Sequence, residues 1–225
     1  MGELVASIAH EINQPLAGVA ARANACLRWL AGNKPDLDAA RESVSRIVRD
    51  AHRASDVIRS LRALTKKSGP QLVPLDINDA IQEVLALTGS ELRQYGIALR
   101  TDLSLEVGPV LGDRVQVQQV LLNLITNAVD AMSAVMDHPR ELTLSSARTE
   151  GDGLIVTIAD AGTGLDPMIA ERIFEPFFTT KSEGLGMGLS ICRTIIESHG
   201  GGLWVSPNVP CGTIFRFTVP GVPPD

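Results

Sequence analysis

The sequence is poor in the features that mark several function classes. Its three cysteines, Cys26, Cys192 and Cys211, are an odd number at wide spacings with no C-x-x-C pair. That argues against a disulfide framework or a zinc site and points to a reducing compartment. Positive charge is not in excess: 20 Lys and Arg stand against 26 Asp and Glu, a formal net charge of −6, so nucleic acid is not the expected partner. No stretch reaches the roughly 18 uninterrupted apolar residues of a membrane span, and the first residues lack the charged and apolar regions of a secretory signal. A soluble, cytoplasmic piece with no membrane contact of its own is expected, and no internal repeat is visible. What is there is apolar material, 44% of 225 residues, enough for one or two packed domains.

Hydrophobic periodicity divides the chain. Leu4, Ile8, Ile12, Leu16, Val19, Ala23, Leu27 and Leu30 form one helical stripe, which Gly32-Asn33-Lys34-Pro35 breaks. From Asp36 onward, Leu37, Ala40, Val44, Ile47, Ala51, Ala54, Ile58 and Leu61 alternate steps of three and four, the seam of a coiled coil. The two helices are expected to form an antiparallel hairpin. A lone hairpin leaves apolar surface uncovered, so pairing of two copies into a dimeric four-helix bundle is predicted. Ser68-Gly69-Pro70 and Pro74 end the helical pattern, which sets the expected domains at 1–67 and 68–225. Beyond them the texture predicts a helix over 77–94, an extended stretch over 97–103, an apolar helix over 115–132, and strands at 142–147 and 154–159. A helix through Ser198 and strands at 203–206 and 213–219 complete the pattern. The fold class is α+β: a helical hairpin followed by an α/β sandwich in which helices cover one face of a mixed sheet. Residues 164–184 show little periodicity and read as a mobile loop.

Several short motifs carry chemistry. His10 lies 200° around the helix from both Ile8 and Ile12, so it faces away from the apolar stripe, and Glu11 beside it can hold or accept an imidazole proton. That pairing suits phosphoryl transfer, though an isolated His-Glu pair is also the pattern of an ordinary surface histidine. Pro15 removes a backbone donor just past it and is a candidate bend. Asn123 and Asn127 place two carboxamides one turn apart on an apolar helix, where they can complete a Mg²⁺ shell or cap neighbouring loops. Asp160-Ala161-Gly162-Thr163-Gly164 ends a strand abruptly. Its carboxylate can accept a hydrogen bond from the exocyclic amino group of adenine, and the same residues also describe a plain Asp-x-Gly turn. Gly184-Leu185-Gly186-Met187-Gly188-Leu189 opens a helix and offers free amides to phosphates. Just before it, Glu175-Pro176-Phe177-Phe178-Thr179-Thr180-Lys181 supplies an aromatic anchor, or simply a loop tether, and a lysine that can reach phosphate oxygens. His52, His138 and His199 match no motif and read as structural.

Taken together, these motifs resemble the histidine kinases. His10 to Pro15 is similar to their H box, Asn123 to Asn127 to the N box, Asp160 to Gly164 to the first glycine box, Glu175 to Lys181 to the F box, and Gly184 to Gly188 to the second glycine box. The resemblance covers nearly the whole chain. It implies a dimerisation and histidine-phosphotransfer domain followed by a Bergerat-type ATP-binding domain. By the same resemblance His10 is the phosphoacceptor and Glu11 its base. Asn127, supported by Asn123, holds Mg²⁺; Asp160 reads adenine; Gly162, Gly164, Thr180, Lys181, Gly184, Gly186, Met187, Gly188 and Leu189 shape the ATP site. The implied partners are a second copy of the chain and the receiver domain of a response regulator, and a membrane anchor upstream in a parent protein is compatible with it. One departure stands out: four positions past the histidine the family often has Thr or Asn, and here stands Gln14, which puts phosphatase activity in doubt. A scaffold with a decayed ATP domain, or a different Bergerat ATPase such as a gyrase-like enzyme or a serine kinase, shares only part of this set.

Overall fold

In a computed structural model of the chain, residues 2–31, 35–44, 46–47, 50–51, 70–149, 153–181 and 186–222 are described, with side chains from residue 16 onward. The chain divides into two compact units, Met1–Lys66 and Lys67–Asp225.

In the first unit, helix α1 spans Gly2–Leu30 and continues through Pro15. The chain re-enters helix at 37–44 (α2). Asp36 caps that start, its Oδ1 accepting from the Ala39 N–H at 2.9 Å. The two helices run antiparallel, because contacts late in α1 meet residues early in α2 and earlier ones meet later ones. The Asp36 N–H donates to the Trp29 carbonyl at 3.0 Å, Cys26 Sγ donates to the Ala40 carbonyl at 3.7 Å, and Arg22 pairs with Asp50. The heptad positions Ala54, Ile58 and Leu61, and His52, lie outside the described residues.

The second unit is an α/β sandwich. Strands β2 (Ala98–Leu103), β4 (Glu141–Arg148), β5 (Leu154–Asp160), β7 (Thr213–Val219) and β6 (Leu203–Pro207) form one sheet in the order β2-β4-β5-β7-β6. Only the β2–β4 pair is parallel, so the sheet is mixed. Period-two alternation aims Leu142 and Leu144, Val156 and Ile158, and Phe215 and Phe217 at one face, where all are buried. Helices α3 (Ile77–Gln94), α4 (Arg114–Ser133) and α5 (Gly188–Ser198) cover that face. Asp76 and Asp113 cap α3 and α4 by accepting from the second and third following backbone N–H groups. Buried His199 joins α5 to the start of α4: its Nε2 accepts from the Asp113 N–H at 2.9 Å, and its Nδ1 lies 2.7 Å from the Ile195 carbonyl.

Two features were not expected. Strands β1 (Val73–Leu75) and β3 (Val110–Gly112) pair antiparallel in a small second sheet; at three residues each they are too short to show alternation. The segment after Gly164 is not featureless either: over 164–181 it makes 3₁₀ turns at Pro167–Ile169 and Arg172–Phe174. Ile173 and Phe174 are buried there. Phe174 packs edge-on against Phe215 with ring centroids 6.5 Å apart, and the Arg193 guanidinium sits 4.2 Å over the Phe174 ring. Single turns of three residues produce neither helical nor strand periodicity, which is why the anchoring was invisible.

Candidate nucleotide site

Helix α4 is the spine of the site. Its core stripe of Val117, Val120, Leu121, Leu124, Ile125, Ala128 and Val129 is buried, and Asn123 and Asn127 sit at the border of that stripe, half-buried. A helix with apolar residues at this spacing leaves its flanking polar residues facing whatever lies beside the core. Asn127 Oδ1 accepts from Lys181 Nζ at 2.9 Å. The same ammonium is 2.6 Å from Asp130 Oδ2. Asn123 instead meets α5, where its amide donates to Cys192 Sγ at 3.6 Å. Burial pushes the Cys192 thiol up to about 12, so this sulfur is an inert packing atom that accepts one hydrogen bond.

Asp160 is placed by alternation. It is the last inward residue of β5, after Leu154, Val156 and Ile158, so the strand's own period carries a carboxylate onto the covered face. It is 2% exposed. Its Oδ1 accepts from the Gly162 N–H at 2.8 Å and from the Thr213 N–H at 3.2 Å. Burial pushes its carboxyl up to about 6, against the pull of those two hydrogen bonds. Among the described residues no donor reaches Oδ2, so one oxygen is fixed and the other is free to accept from a ligand.

The same helix reaches this carboxylate. One turn past Asn127, the Ala131 carbonyl accepts from the Thr163 N–H at 3.3 Å, which ties the turn after Asp160 to α4. The β6–β7 connection closes the other side: Asn208 Nδ2 donates to the Asp160 carbonyl at 2.8 Å. At Gly212, φ is +105° and a Cβ would fall 1.9 Å from that carbonyl, so only glycine lets the turn pass so near. His138, at the end of the α4–β4 connection, holds the next carbonyl, with Nε2 2.9 Å from Ala161 O.

The aromatic segment is anchored next to Gly186. The Arg172 guanidinium lies 4.6 Å over the Phe178 ring. Gly186 adopts φ +65° with its α-carbon against the Phe177 and Phe178 backbone, where a Cβ would meet Phe178 O at 2.5 Å. Met187 is buried, and α5 begins at Gly188 with Leu189 behind it. A Cβ on Gly188 would lie 4.0 Å from Asn123 Nδ2, so the start of α5 and α4 face each other here. Thr180 is exposed beside Lys181, and Gly164 takes φ +77° after the Asp160 turn. Gly184 lies outside the described residues. His10, Glu11 and Gln14 are on α1, in the other unit, and their side chains also lie outside the described residues.

The structure thus gathers Asn127 with Lys181, Asn123 with Gly188, and Asp160 with Gly162, all along α4. Sequence reading missed Asp130, Asn208, Thr213 and Gly212. Asp130 stood one turn past Asn127 and carried a usable signal, an acidic residue on the amide face. Thr213 acts through its backbone N–H, Asn208 through a side-chain amide on a backbone carbonyl and Gly212 through its missing Cβ, and all three meet Asp160 only once the chain has folded back.

Two family models match the chain. The model for the His Kinase A (phospho-acceptor) domain covers residues 1–70, and the model for the histidine kinase-, DNA gyrase B-, and HSP90-like ATPase covers residues 112–223. The chain belongs to the sensor histidine kinases. Its relatives include the sensor histidine kinase TmoS of Ectopseudomonas mendocina, 39% identical over 221 residues, 98% of this chain and 23% of that protein. Among solved structures it is similar to the histidine kinase ThkA in complex with the response regulator protein TrrA, at 27% identity and a TM-score of 0.74, covering 98% of this chain and 62% of that one. It is also similar to full-length ShkA in complex with AMPPNP, at 26% identity and a TM-score of 0.69, covering 97% and 45%. The chain spans between 23% and 46% of the length of the curated histidine kinases it matches. No helix among the described residues is long and apolar enough to cross a membrane.

Proposed function

We propose that this chain is the catalytic core of a sensor histidine kinase that binds ATP with Mg²⁺, phosphorylates His10, and passes the phosphoryl group to an aspartate of a response regulator's receiver domain. The observation that carries the nucleotide half is the layout along α4. A buried carboxylate with one free oxygen stands at one end, and an amide oxygen already engaged with a cation stands one turn away. The first suits the exocyclic amine of adenine and the second suits phosphates and their metal. The structures of ThkA with a response regulator and ShkA with AMPPNP support the same reading.

In this reading residues 1–67 form the dimerising phosphotransfer domain and 68–225 the ATP-binding domain. Asp160 Oδ2 accepts from adenine. Asn127, with Asn123, faces the metal. The donor set fits a hard cation that keeps water and phosphate ligands: an amide oxygen is a neutral hard ligand, and among the described residues no cluster of three or more His, Cys, Asp or Glu could hold a metal unaided. Mg²⁺, when bound, supplies neutralisation of phosphate charge. Lys181 and the amides at the start of α5 bind and orient the phosphates, with Gly162, Gly164, Thr180, Gly184, Gly186, Met187, Gly188 and Leu189 shaping the site. The free imidazole nitrogen of His10 attacks the γ-phosphorus, the bond to the β–γ bridging oxygen breaks, and ADP leaves. Glu11 accepts the proton from the other nitrogen. Gln14 carries one methylene more than the Asn common in the family, so phosphatase activity toward the partner is expected to be weak.

The test is labelling with γ-labelled ATP. The label should be acid-labile and base-stable, absent in His10→Gln while nucleotide still binds, and slowed about a hundredfold in Glu11→Gln. An acid-stable label, or one that survives His10→Gln, would overturn the reading in favour of a serine kinase. Bound ATP with no label would favour a scaffold.

A further inference from the structure

The Lys181 ammonium is held by two acceptors on one helix. It donates to Asn127 Oδ1 at 2.9 Å and to Asp130 Oδ2 at 2.6 Å, which leaves one of its three N–H bonds uncommitted. Both acceptors lie on α4 three residues apart, a spacing that puts side chains on one face. Lysine is a flexible, strongly hydrated point charge. Among the described residues its backbone N–H bonds only to Thr179 Oγ1, at 3.1 Å, and its side chain is 45% exposed, so the local chain does not by itself aim it at Asn127. The group that aims it is the carboxylate of Asp130, which no motif assigned.

We propose that Asp130 is a positioning residue, whose carboxylate holds the Lys181 ammonium beside Asn127 so that a cation stands ready at the phosphate end of the site. The inference rests on the nucleotide reading above. Charge balance gives it a distinctive consequence. Paired, Asp130 and Lys181 sum to zero. Without Asp130, the lysine keeps its charge but loses its aim. Without Lys181, a bare carboxylate is left beside the position of a triphosphate, and like charges repel. The two substitutions are therefore coupled in sign as well as in size.

The experiment measures binding of a fluorescent ATP analogue to the full chain, with and without Mg²⁺, alongside KM and kcat for labelling of His10. Asp130→Asn should weaken binding about two- to fivefold, the scale of a half-exposed ion pair, with KM rising and kcat little changed. Lys181→Met should weaken it about tenfold or more. In the Lys181→Met background, Asp130→Asn should improve binding about two- to fivefold, because it removes the unpaired charge. Raising salt should shrink all three effects.

A merely structural Asp130 would lower the melting temperature and weaken binding by the same factor in both backgrounds, and that result overturns the proposal. So does an Asp130→Asn effect that persists in Lys181→Met and vanishes when Mg²⁺ is omitted, which would make Asp130 a metal ligand. Either result leaves wild-type ATP binding and His10 labelling intact, whereas a wild-type chain that binds no nucleotide removes the functional reading and this inference with it.

Discussion

In the ATP-binding unit Leu121, Leu124 and Ile125 are fully shielded, whereas in the helical unit Leu27 is 64% and Leu37 57% exposed. Of the two, the helical unit is thus the one whose described apolar residues remain uncovered. Two helices present two stripes, and an antiparallel pair buries only the inner flank of each, so Leu16, Leu27, Trp29, Leu30, Leu37 and Val44 are left outward. The sandwich has a sheet face and three helices to close over it. The difference leads to the expectation that stability in one unit is set by its own core and in the other by association. It also separates the proposed chemistry: His10, the proposed acceptor, is on the open unit, and the proposed nucleotide site is in the closed one.

The largest effect expected is on that division of chemistry. Asn127→Ala removes an amide oxygen from a half-buried border position and no core volume, so labelling of His10 should fall at least about a hundredfold while the melting temperature moves little. Retained labelling at ordinary Mg²⁺ would remove Asn127 from the metal site. Next comes Leu121→Ala, a truncation at 0% exposure in α4. It should cost about 3–5 kcal/mol and lower the melting of the ATP-binding unit equally at every protein concentration. A concentration-dependent loss would mean that the closed unit also relies on a partner.

How much of this was readable beforehand follows the same division. In the hairpin the stripe from Leu16 to Leu30 and the seam at Leu37, Ala40 and Val44 gave both helices, because a 3.6-residue period is long enough to recur. In the sandwich the alternation of Leu154, Val156 and Ile158 gave β5 over 154–159 with Asp160 at its end, and the structure adds that Asp160 continues the buried alternation. What could not be read was of two kinds. Elements of three residues, β1, β3 and the two 3₁₀ turns, are too short for a period to recur. Contacts made by backbone groups, such as the Thr213 N–H on Asp160 and the close pass of Gly212, depend on the chain returning across the sheet after some fifty residues. Lys181 was singled out as a cation that can reach phosphate oxygens, and the fold sets it beside Asn127. Its hold on Asp130 was not legible, since residues fifty-one apart meet only once the fold is known.

Asp160 sharpens the comparison from the side of function. Keeping its carboxyl ionised at neutral pH, when burial has pushed it up to about 6, costs about 3 kcal/mol. Because the folded-state value is raised, the native state binds the proton more tightly than the unfolded chain. This contribution to stability is complete below the ordinary aspartate value and is lost as pH rises through about 6. Asp160→Asn removes the charge and should stabilise the nucleotide-free ATP-binding unit at pH 8 by about 1–2 kcal/mol, after an allowance of about 1 kcal/mol for an amide with no acceptor. It should also weaken ATP binding about tenfold to a hundredfold, since an amide nitrogen cannot accept from adenine. Melting followed from pH 4.5 to 8 checks the sign: the advantage of the variant should grow with pH and be absent at the acid end. An advantage independent of pH would show that the charge of Asp160 is not what costs stability.

The smallest effect tests the open unit. Leu27 lies on the apolar stripe of α1 and is mostly exposed on a single chain, so Leu27→Ala leaves no cavity in the hairpin itself. If the stripe faces a second copy, the substitution removes contact from each protomer of the pair. At about 1 kcal/mol per protomer, a typical figure for an interface residue away from a hot spot, the loss is counted twice and the dimer weakens roughly thirtyfold. Sedimentation over a range of concentrations reads that shift directly. Melting supplies the internal control, because the helical transition should rise with protein concentration and fall in Leu27→Ala, while the transition of the ATP-binding unit should respond to neither. A wild-type chain that stays monomeric, with a helical transition independent of concentration, would mean that the exposed leucines answer to something other than a second copy, and the contrast between an associating unit and a self-sufficient one would have to be abandoned.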